Sequence, residues 1–418
     1  MSRDKSNTSE TRRLALLFGA FYFVQGVCEP TEGLIAQPMR SLLRGWGQDA
    51  AYVSACAALL ALPWSVKPLY GLLSDFVPIF GSRRKSYLVL SSALAAAALI
   101  ALYMLPLDRN SVNLLMGLLF VPAIGVAFCD VVVDALMVEK GQKRGITGQL
   151  QSVQWGTIWG ASILTGYLGG AFSQAGRQEL GFLVCGLVLV VTLFGTLLFV
   201  QDEPPRERKR PESRALKESL TSPAVLSVAE FIFLWSFNPF TSTVLYFYML
   251  NELGMDEQFY GETLSWLAGA SMVASFAYGL YCRRVSMRVL LHAAIFLGVL
   301  STAFYFLLED RFSARLITVA VGLTYATATM IQFDLAARIC PPLVAGTLFA
   351  LLMSVSNLAV SLSTWLGGSL YESWSAKWDP RNAFLLLVAV GAATTACCWC
   401  LVPILEKAAR EPAAKDPS

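Results

Sequence analysis

Apolar residues in this chain arrive in long runs separated by short polar stretches, and the runs are membrane-length. A helix needs about 20 mostly apolar residues to cross a hydrocarbon core of roughly 30 Å. Reading runs and breaks gives twelve spans, at 14–39, 50–73, 86–106, 112–138, 147–172, 180–200, 223–250, 259–281, 288–308, 315–338, 343–371 and 383–405. They are too long and too continuously apolar for the strands of a membrane barrel. Only helices and closed barrels satisfy their backbone in lipid. The pattern therefore predicts an all-α polytopic membrane protein with twelve transmembrane helices.

Between spans six and seven lies the longest polar segment, Gln201 to Ser222 (QDEPPRERKRPESRALKESLTS), charged and Pro-rich. It reads as a cytoplasmic linker at 201–222 between an N-terminal six-helix half, 1–200, and a C-terminal six-helix half, 223–418. Lys and Arg set the orientation. With the N-terminus inside, 23 of the 32 basic residues fall on inside segments and 8 on outside loops, with Lys67 left over inside a span. That bias predicts that both termini are cytoplasmic.

Only 15% of residues are charged, against roughly a quarter in soluble domains. The net charge of +3 belongs to cytoplasmic loops, so no nucleic-acid partner is expected. The apolar stretch after Arg13 carries Gln25, Glu29 and Glu32, which a cleavable signal core would not. The Met1 start, with no long transit segment, points to a bacterial inner membrane. The nine cysteines fall mostly within spans without disulfide spacing. Cys397, Cys398 and Cys400 read as packing residues, and no metal or cofactor is expected. No G-x-x-x-x-G-K-[ST] phosphate loop appears, which excludes an ATP-driven pump of that type. No nucleophile or metal constellation marks an enzyme.

The two halves echo each other. Asp134 and Asp334 are 200 residues apart, Gly148 and Gly346 are 198 apart, and Thr165-Gly-Tyr-Leu-Gly-Gly170 recurs 198 residues on as Ser363-Thr-Trp-Leu-Gly-Gly368. Parallel six-helix repeats describe the major facilitator architecture, with a substrate site near the midplane.

Charged residues inside spans are costly and mark function. Gln25, Glu29 and Glu32 have the spacing of one helix face, with Pro30 loosening the backbone between them. Asp130 and Asp134 are four apart in span four, and Lys67 from a neighbouring helix is the cation expected beside them. A self-neutralising structural ion pair is the alternative. Asp334 and Arg338 repeat the spacing in span ten. Gln151, Trp155, Trp159 and Ser162 form a polar stripe on span five, and Ser354, Asn357, Ser361 and Trp365 another on span eleven. Such stripes suit a flat heteroaromatic ligand, and equally ordinary helix packing. Asn238-Pro239 is expected to break or kink span seven. His292 reads as incidental.

One stretch is more specific. Pro63-Trp64-Ser65-Val66-Lys67-Pro68-Leu69-Tyr70-Gly71-Leu72-Leu73-Ser74-Asp75, then Pro78, Phe80-Gly81 and Arg83-Arg84-Lys85-Ser86-Tyr87, closely resembles the folate–biopterin transporter family of the major facilitator superfamily. Asp130-Val-Val-Val-Asp134-Ala is similar to that family's second signature. The resemblance covers the whole length and implies secondary active transport of folates or pterins by alternating access, driven by a proton gradient. It implies substrate or proton roles for Glu29, Lys67, Asp130, Asp134, Gln151, Trp155, Asp334, Arg338 and Asn357, and a gating role for Asp75, Arg83 and Arg84. A carboxylate can accept two N–H bonds from a pterin edge, and Lys67 and Arg338 can meet the carboxylates of a folate tail. The expected partners are a small-molecule substrate and the lipid bilayer, with the protein a monomer. The rival readings are a carrier of another organic anion, a muropeptide or sugar phosphate, and a non-transporting membrane receptor.

Overall fold

The computed structural model describes residues 2–82, 84–142, 146–200, 220–281, 284–339 and 345–405. In chain order the helices are α1 (Ser2–Cys28), α2 (Ala36–Gly45), α3 (Ala50–Ser65), α4 (Lys67–Phe76), α5 (Lys85–Met104), α6 (Val112–Gln142), α7 (Thr147–Gln174) and α8 (Glu179–Phe199). They continue with α9 (Pro223–Ser236), α10 (Ser242–Phe247), α11 (Glu257–Tyr281), α12 (Met287–Ala303), α13 (Arg311–Ile339), α14 (Ala345–Ser375) and α15 (Pro380–Cys397). Among the described residues eight helices are by themselves long and apolar enough to cross a membrane. The other four expected spans fall short for two reasons. Spans one and seven are broken into pieces, and α7 and α11 are full-length but more polar along their faces.

Each break has a local cause. Pro30 ends α1 at Cys28, and the chain turns through 29–35 before α2. Gly33 donates its N–H to the Glu29 carbonyl at 2.8 Å to close that turn. Gln25, Glu29 and Glu32 therefore do not share a helix face: their spacing does so only in a continuous helix, and the helix stops between the first and second. Between α9 and α10 the Asn238-Pro239 break occurs as expected. There Asn238 accepts the Phe240 N–H at 3.0 Å and donates to the Thr302 hydroxyl at 3.0 Å.

The second span bends at Val66, between Pro63 and Pro68. Pro68 has no N–H, so the Trp64 carbonyl loses its donor four residues on. Asn357 of α14 replaces it, its Nδ2 donating to that carbonyl at 2.9 Å.

The helices form two compact units, and neither is a simple half of the sequence. The first holds Met1–Gln48, Leu69–Arg206 and Asp256–Met272; the second holds Asp49–Pro68, Glu207–Met255 and Val273–Ser418. In the first, an apolar core of Phe18, Tyr22, Leu88, Phe128 and Val132 fills the space among α1, α5 and α6, with Tyr87 stacked on Phe128 at 4.9 Å. In the second, Phe231, Ile232, Ile295, Ile331 and Leu348 tie α9, α12, α13 and α14.

The exchanged segments pack on the repeated Gly-Gly positions. Within the second unit α3 runs antiparallel to α14. Ala50 N–H donates to Glu372 at 2.9 Å, Gly368 faces Ser54, and Trp64 meets Asn357 at the far end. Within the first unit α11 runs antiparallel to α7. Gly166 and Gly170 face Gly261, the Ser265 hydroxyl donates to the Ile163 carbonyl at 2.7 Å, and Glu257 N–H donates to Gln174 at 3.0 Å. A Cβ on Gly166 would sit 2.9 Å from the Gly261 carbonyl oxygen. Small residues let helix backbones approach this closely in a membrane, which gives the 198-residue repeat its physical meaning.

Candidate substrate and coupling sites

In the first unit Asp134 accepts hydrogen bonds from two other helices. The Tyr22 hydroxyl of α1 donates to its carboxylate at 2.6 Å, and the Gln154 amide of α7 at 3.2 Å. Asp130, one turn earlier on α6, is 4% exposed. It lines a cavity together with Gln25, Ser91, Ser92 and Thr192. The Gln25 Oε1 is buried without a protein donor. The two aspartates thus share a helix face region as expected but differ in setting: Asp134 is held by donors from two helices, and Asp130 opens onto a cavity.

Asp334 has a matching setting in the second unit. The Tyr278 hydroxyl of α11 donates to it at 3.1 Å. The repeated aspartates therefore each accept a tyrosine hydroxyl, from helices that are not equivalent in the repeat. The side chain of Arg338 lies outside the described residues.

Glu29 is used by the backbone. Its carboxylate accepts the Thr31 N–H at 3.0 Å, the Thr31 hydroxyl at 2.5 Å and the Glu32 N–H. It caps the turn that Pro30 opens, a role that helical spacing could not indicate. Beside it lies Arg40 of α2, only 3% exposed, donating to the Thr31 carbonyl at 3.2 Å. Glu257 at the start of α11 accepts from Gln37 Nε2 at 2.9 Å and lies 3.9 Å from Arg44. Arg40 and Arg44 follow the first expected span, 14–39, and a span read as one continuous helix gave no sign of this network.

Lys67 opens α4 in the second unit, and its Nζ sits 4.4 Å from the centroid of the Trp64 ring. With Asn357 on the Trp64 carbonyl, Lys67, Trp64 and Asn357 form one cluster at the bend. Gln151 is exposed and Trp155 half-buried on α7; Gln154 between them is the amide that reaches an acid.

Of the expected gating residues, Arg83 and the Asp75 side chain lie outside the described residues. Arg84 is buried and donates to Glu139 at the end of α6 at 2.6 Å. The connection before it is a tight hairpin in which Ile79 and Ser82 exchange backbone bonds, with Phe80 at φ 51° and Gly81 at φ 74°. The Tyr87 hydroxyl anchors that hairpin on the Val77 carbonyl at 2.7 Å. Among the described residues no group of three or more His, Cys, Asp or Glu could hold a metal.

Helices broken at Pro30 and Pro239, acids buried inside apolar bundles, and helix pairs exchanged between units are the construction of a polytopic transporter. A D-xylose–proton symporter of known structure matches 93% of this chain and 97% of its own, with a TM-score of 0.71 at 14% identity. At that identity the likeness is one of fold, and the fold is that of the major facilitator transporters. The chain belongs to the BT1 family, whose model matches residues 25–416. It is similar to the folate-biopterin transporter of Synechocystis, 29% identical over 93% of this chain and 80% of that protein. It is also similar to probable folate-biopterin transporter 4 of Arabidopsis thaliana, 26% identical over 84% of this chain and 86% of that one.

Proposed function

We propose that this protein is a secondary active transporter of folate- or pterin-type compounds, working by alternating access and driven by a proton gradient. The substrate class is taken from the names of its relatives. The mechanism rests on one observation: the second and eighth spans each divide between the two compact units, at Pro68/Leu69 and Met272/Val273. Helices shared in this way tie together segments from both six-helix halves, 1–200 and 223–418. The α3–α14 and α7–α11 packings, close at glycines and sparing in polar bonds, are the contacts that part when the opposite side closes.

Asp134 and Asp334 are the residues proposed to exchange a proton. Each is already linked to a tyrosine hydroxyl, so a change of protonation alters a bond between helices. Asp130 and Gln25 contribute the adjoining polar cavity. Lys67 and Asn357, with Gln151, Trp155 and Arg338, are proposed to face the substrate. Asp75, Arg83 and Arg84 are proposed to form the cytoplasmic latch, with Arg84–Glu139 its described member. In this reading there are twelve spans, both termini are cytoplasmic, and the monomer carries the activity in a bacterial inner membrane. The family reaches into plants, so family membership leaves the choice of membrane open to measurement.

The test is uptake by proteoliposomes of labelled folate and biopterin, with and without an inward proton gradient. Saturable uptake that the gradient stimulates and a protonophore collapses is expected. Saturable uptake indifferent to both would replace coupling by facilitated diffusion or exchange. No uptake of either compound, with uptake of a sugar phosphate or muropeptide, would overturn the substrate class.

A further inference from the structure

The polar ends of the two exchanged helix pairs duplicate each other. In the second unit Asp49 caps α3, its carboxylate accepting the Tyr52 N–H at 2.7 Å. The first N–H of that helix, on Ala50, is accepted by Glu372, near the end of α14, at 2.9 Å. In the first unit Asp256 caps α11, accepting the Phe259 N–H at 2.8 Å. The first N–H of α11, on Glu257, is accepted by Gln174, the last residue of α7, at 3.0 Å. Glu372 lies 198 residues after Gln174, the spacing of Gly170 and Gly368. Asp256 lies 207 after Asp49, the spacing of Ala50 and Glu257 and of Ser54 and Gly261. The glycine contacts recur with the caps: Gly170 faces Gly261, and Gly368 faces Ser54.

The leading N–H groups of a helix have no acceptor within it. Here the first of them is satisfied by a side chain from the other six-helix half, so each cap exists only while the two helices are together. In the twelve-span reading these are the ends of spans five and eleven and the starts of spans two and eight, all on the side away from the termini. Water replaces the cap when the helices part at that mouth, so opening strands no buried donor.

We infer that Gln174 and Glu372 are gate residues that hold the outer side closed by capping α11 and α3 across the two halves, with the Glu372 junction the tighter of the two. The inference rests on the proposed reading of alternating access and names the side chains that close one side. The two junctions differ in charge. An ionised carboxylate is favoured at the positive end of a helix dipole, and its hydrogen bond is stronger than that of a neutral amide. Each junction contains its capping aspartate, but only α11 adds a glutamate at the first position. That Glu257 carboxylate accepts from Gln37 at 2.9 Å, and a second carboxylate at position 174 would meet like charge.

The reporters are Ser54→Cys at the α3–α14 junction and Ser265→Cys at the α7–α11 junction. Each is labelled with a maleimide on the purified protein in detergent and read by peptide mass spectrometry. Glu372→Ala should raise the labelling rate at position 54 roughly tenfold or more, and Gln174→Ala that at position 265 roughly two- to tenfold, the factors for losing a hydrogen bond to a charged and to a neutral acceptor. Glu372→Gln, which keeps an acceptor, should fall between wild type and Glu372→Ala. The buried native thiols Cys185 and Cys398 report general loosening and should label no faster in any variant. Unchanged labelling at both junctions, or an equal rise at Cys185 and Cys398, overturns the inference. A larger rise from Gln174→Ala than from Glu372→Ala overturns the ranking. In proteoliposomes both alanine variants should lower the external KM, because a larger share of the protein stands open to that side. If the wild type carries neither folate nor biopterin, labelling still decides the gate, and the failure lies with the proposed substrate.

Discussion

Replacing Asn357 by leucine should destabilise the protein, and restoring a backbone donor should cancel much of that loss. In the native chain Pro68 cannot donate to the Trp64 carbonyl, and Asn357 Nδ2 does so at 2.9 Å from the facing helix. Asn357→Leu leaves that carbonyl without a donor, at a cost of about 1–3 kcal/mol for an unsatisfied buried group. Pro68→Ala supplies an N–H at the position four residues on. In that background the same Asn357→Leu change should cost about 1 kcal/mol less, the net contribution of one hydrogen bond. The assay is a double-mutant cycle on equilibrium unfolding in mixed detergent micelles, followed by circular dichroism. A coupling energy of about 1 kcal/mol is the expected result. Additivity to within about 0.5 kcal/mol, the behaviour of independent sites, would refute the claim that the amide stands in for the missing helical donor.

Gly261→Val puts a branched side chain against the Gly166 and Gly170 backbone. Overpacking costs about 1–3 kcal/mol, so cysteine-accessibility labelling should show α7 and α11 parted and uptake lost, with normal amounts in the membrane. Arg84→Ala leaves the partly exposed Glu139 without its cation, a loss of about 1.5–3 kcal/mol for a hydrogen bond between charged groups. The exchanged pair Arg84→Glu with Glu139→Arg should recover part of the thermal stability in detergent, and a loss equal to that of Arg84→Ala would rule out the pairing. Tyr22→Phe removes the hydroxyl on Asp134. It should reduce gradient-driven accumulation more than exchange of labelled for unlabelled substrate, which counterflow measurements separate.

The helices were legible because apolar runs of membrane length leave the chain few choices. The breaks were legible only in part. Asn238-Pro239 announces itself, since the side chain that caps the break sits beside the proline that makes it. Glu29-Pro30 has the same form, yet a glutamate among apolar residues reads first as a buried functional acid. Only the folded turn shows that the Thr31 and Glu32 N–H groups donate to its carboxylate. The Gly-Gly repeat was visible as a recurrence, but periodicity holds no information about which distant helix presses on it. For the same reason the partners of the acids were out of reach. Tyr22 and Gln154 meet Asp134 from helices that lie far off in sequence, and both residue types are ordinary within spans. Arg40 sits just beyond the first apolar run, and only the fold shows it buried on α2 with its side chain on the Thr31 carbonyl.

Lys67 ties these strands together. As a cation in an apolar span it invites pairing with the acids of α6. Its Nζ lies 4.4 Å from the centroid of the Trp64 ring, at the bend where the second span passes from one compact unit to the other. The ten residues of α4 beyond the bend reach Phe76, and the hairpin that follows leads into Arg84 and its bond to Glu139. We propose that a change of charge at Lys67 is felt along this segment as far as Arg84. If that mechanical link operates, Arg84→Lys, which keeps the charge but loses the planar guanidinium, should alter the folate KM as well as the turnover rate. A change in turnover alone would mean that the bend and the latch work independently.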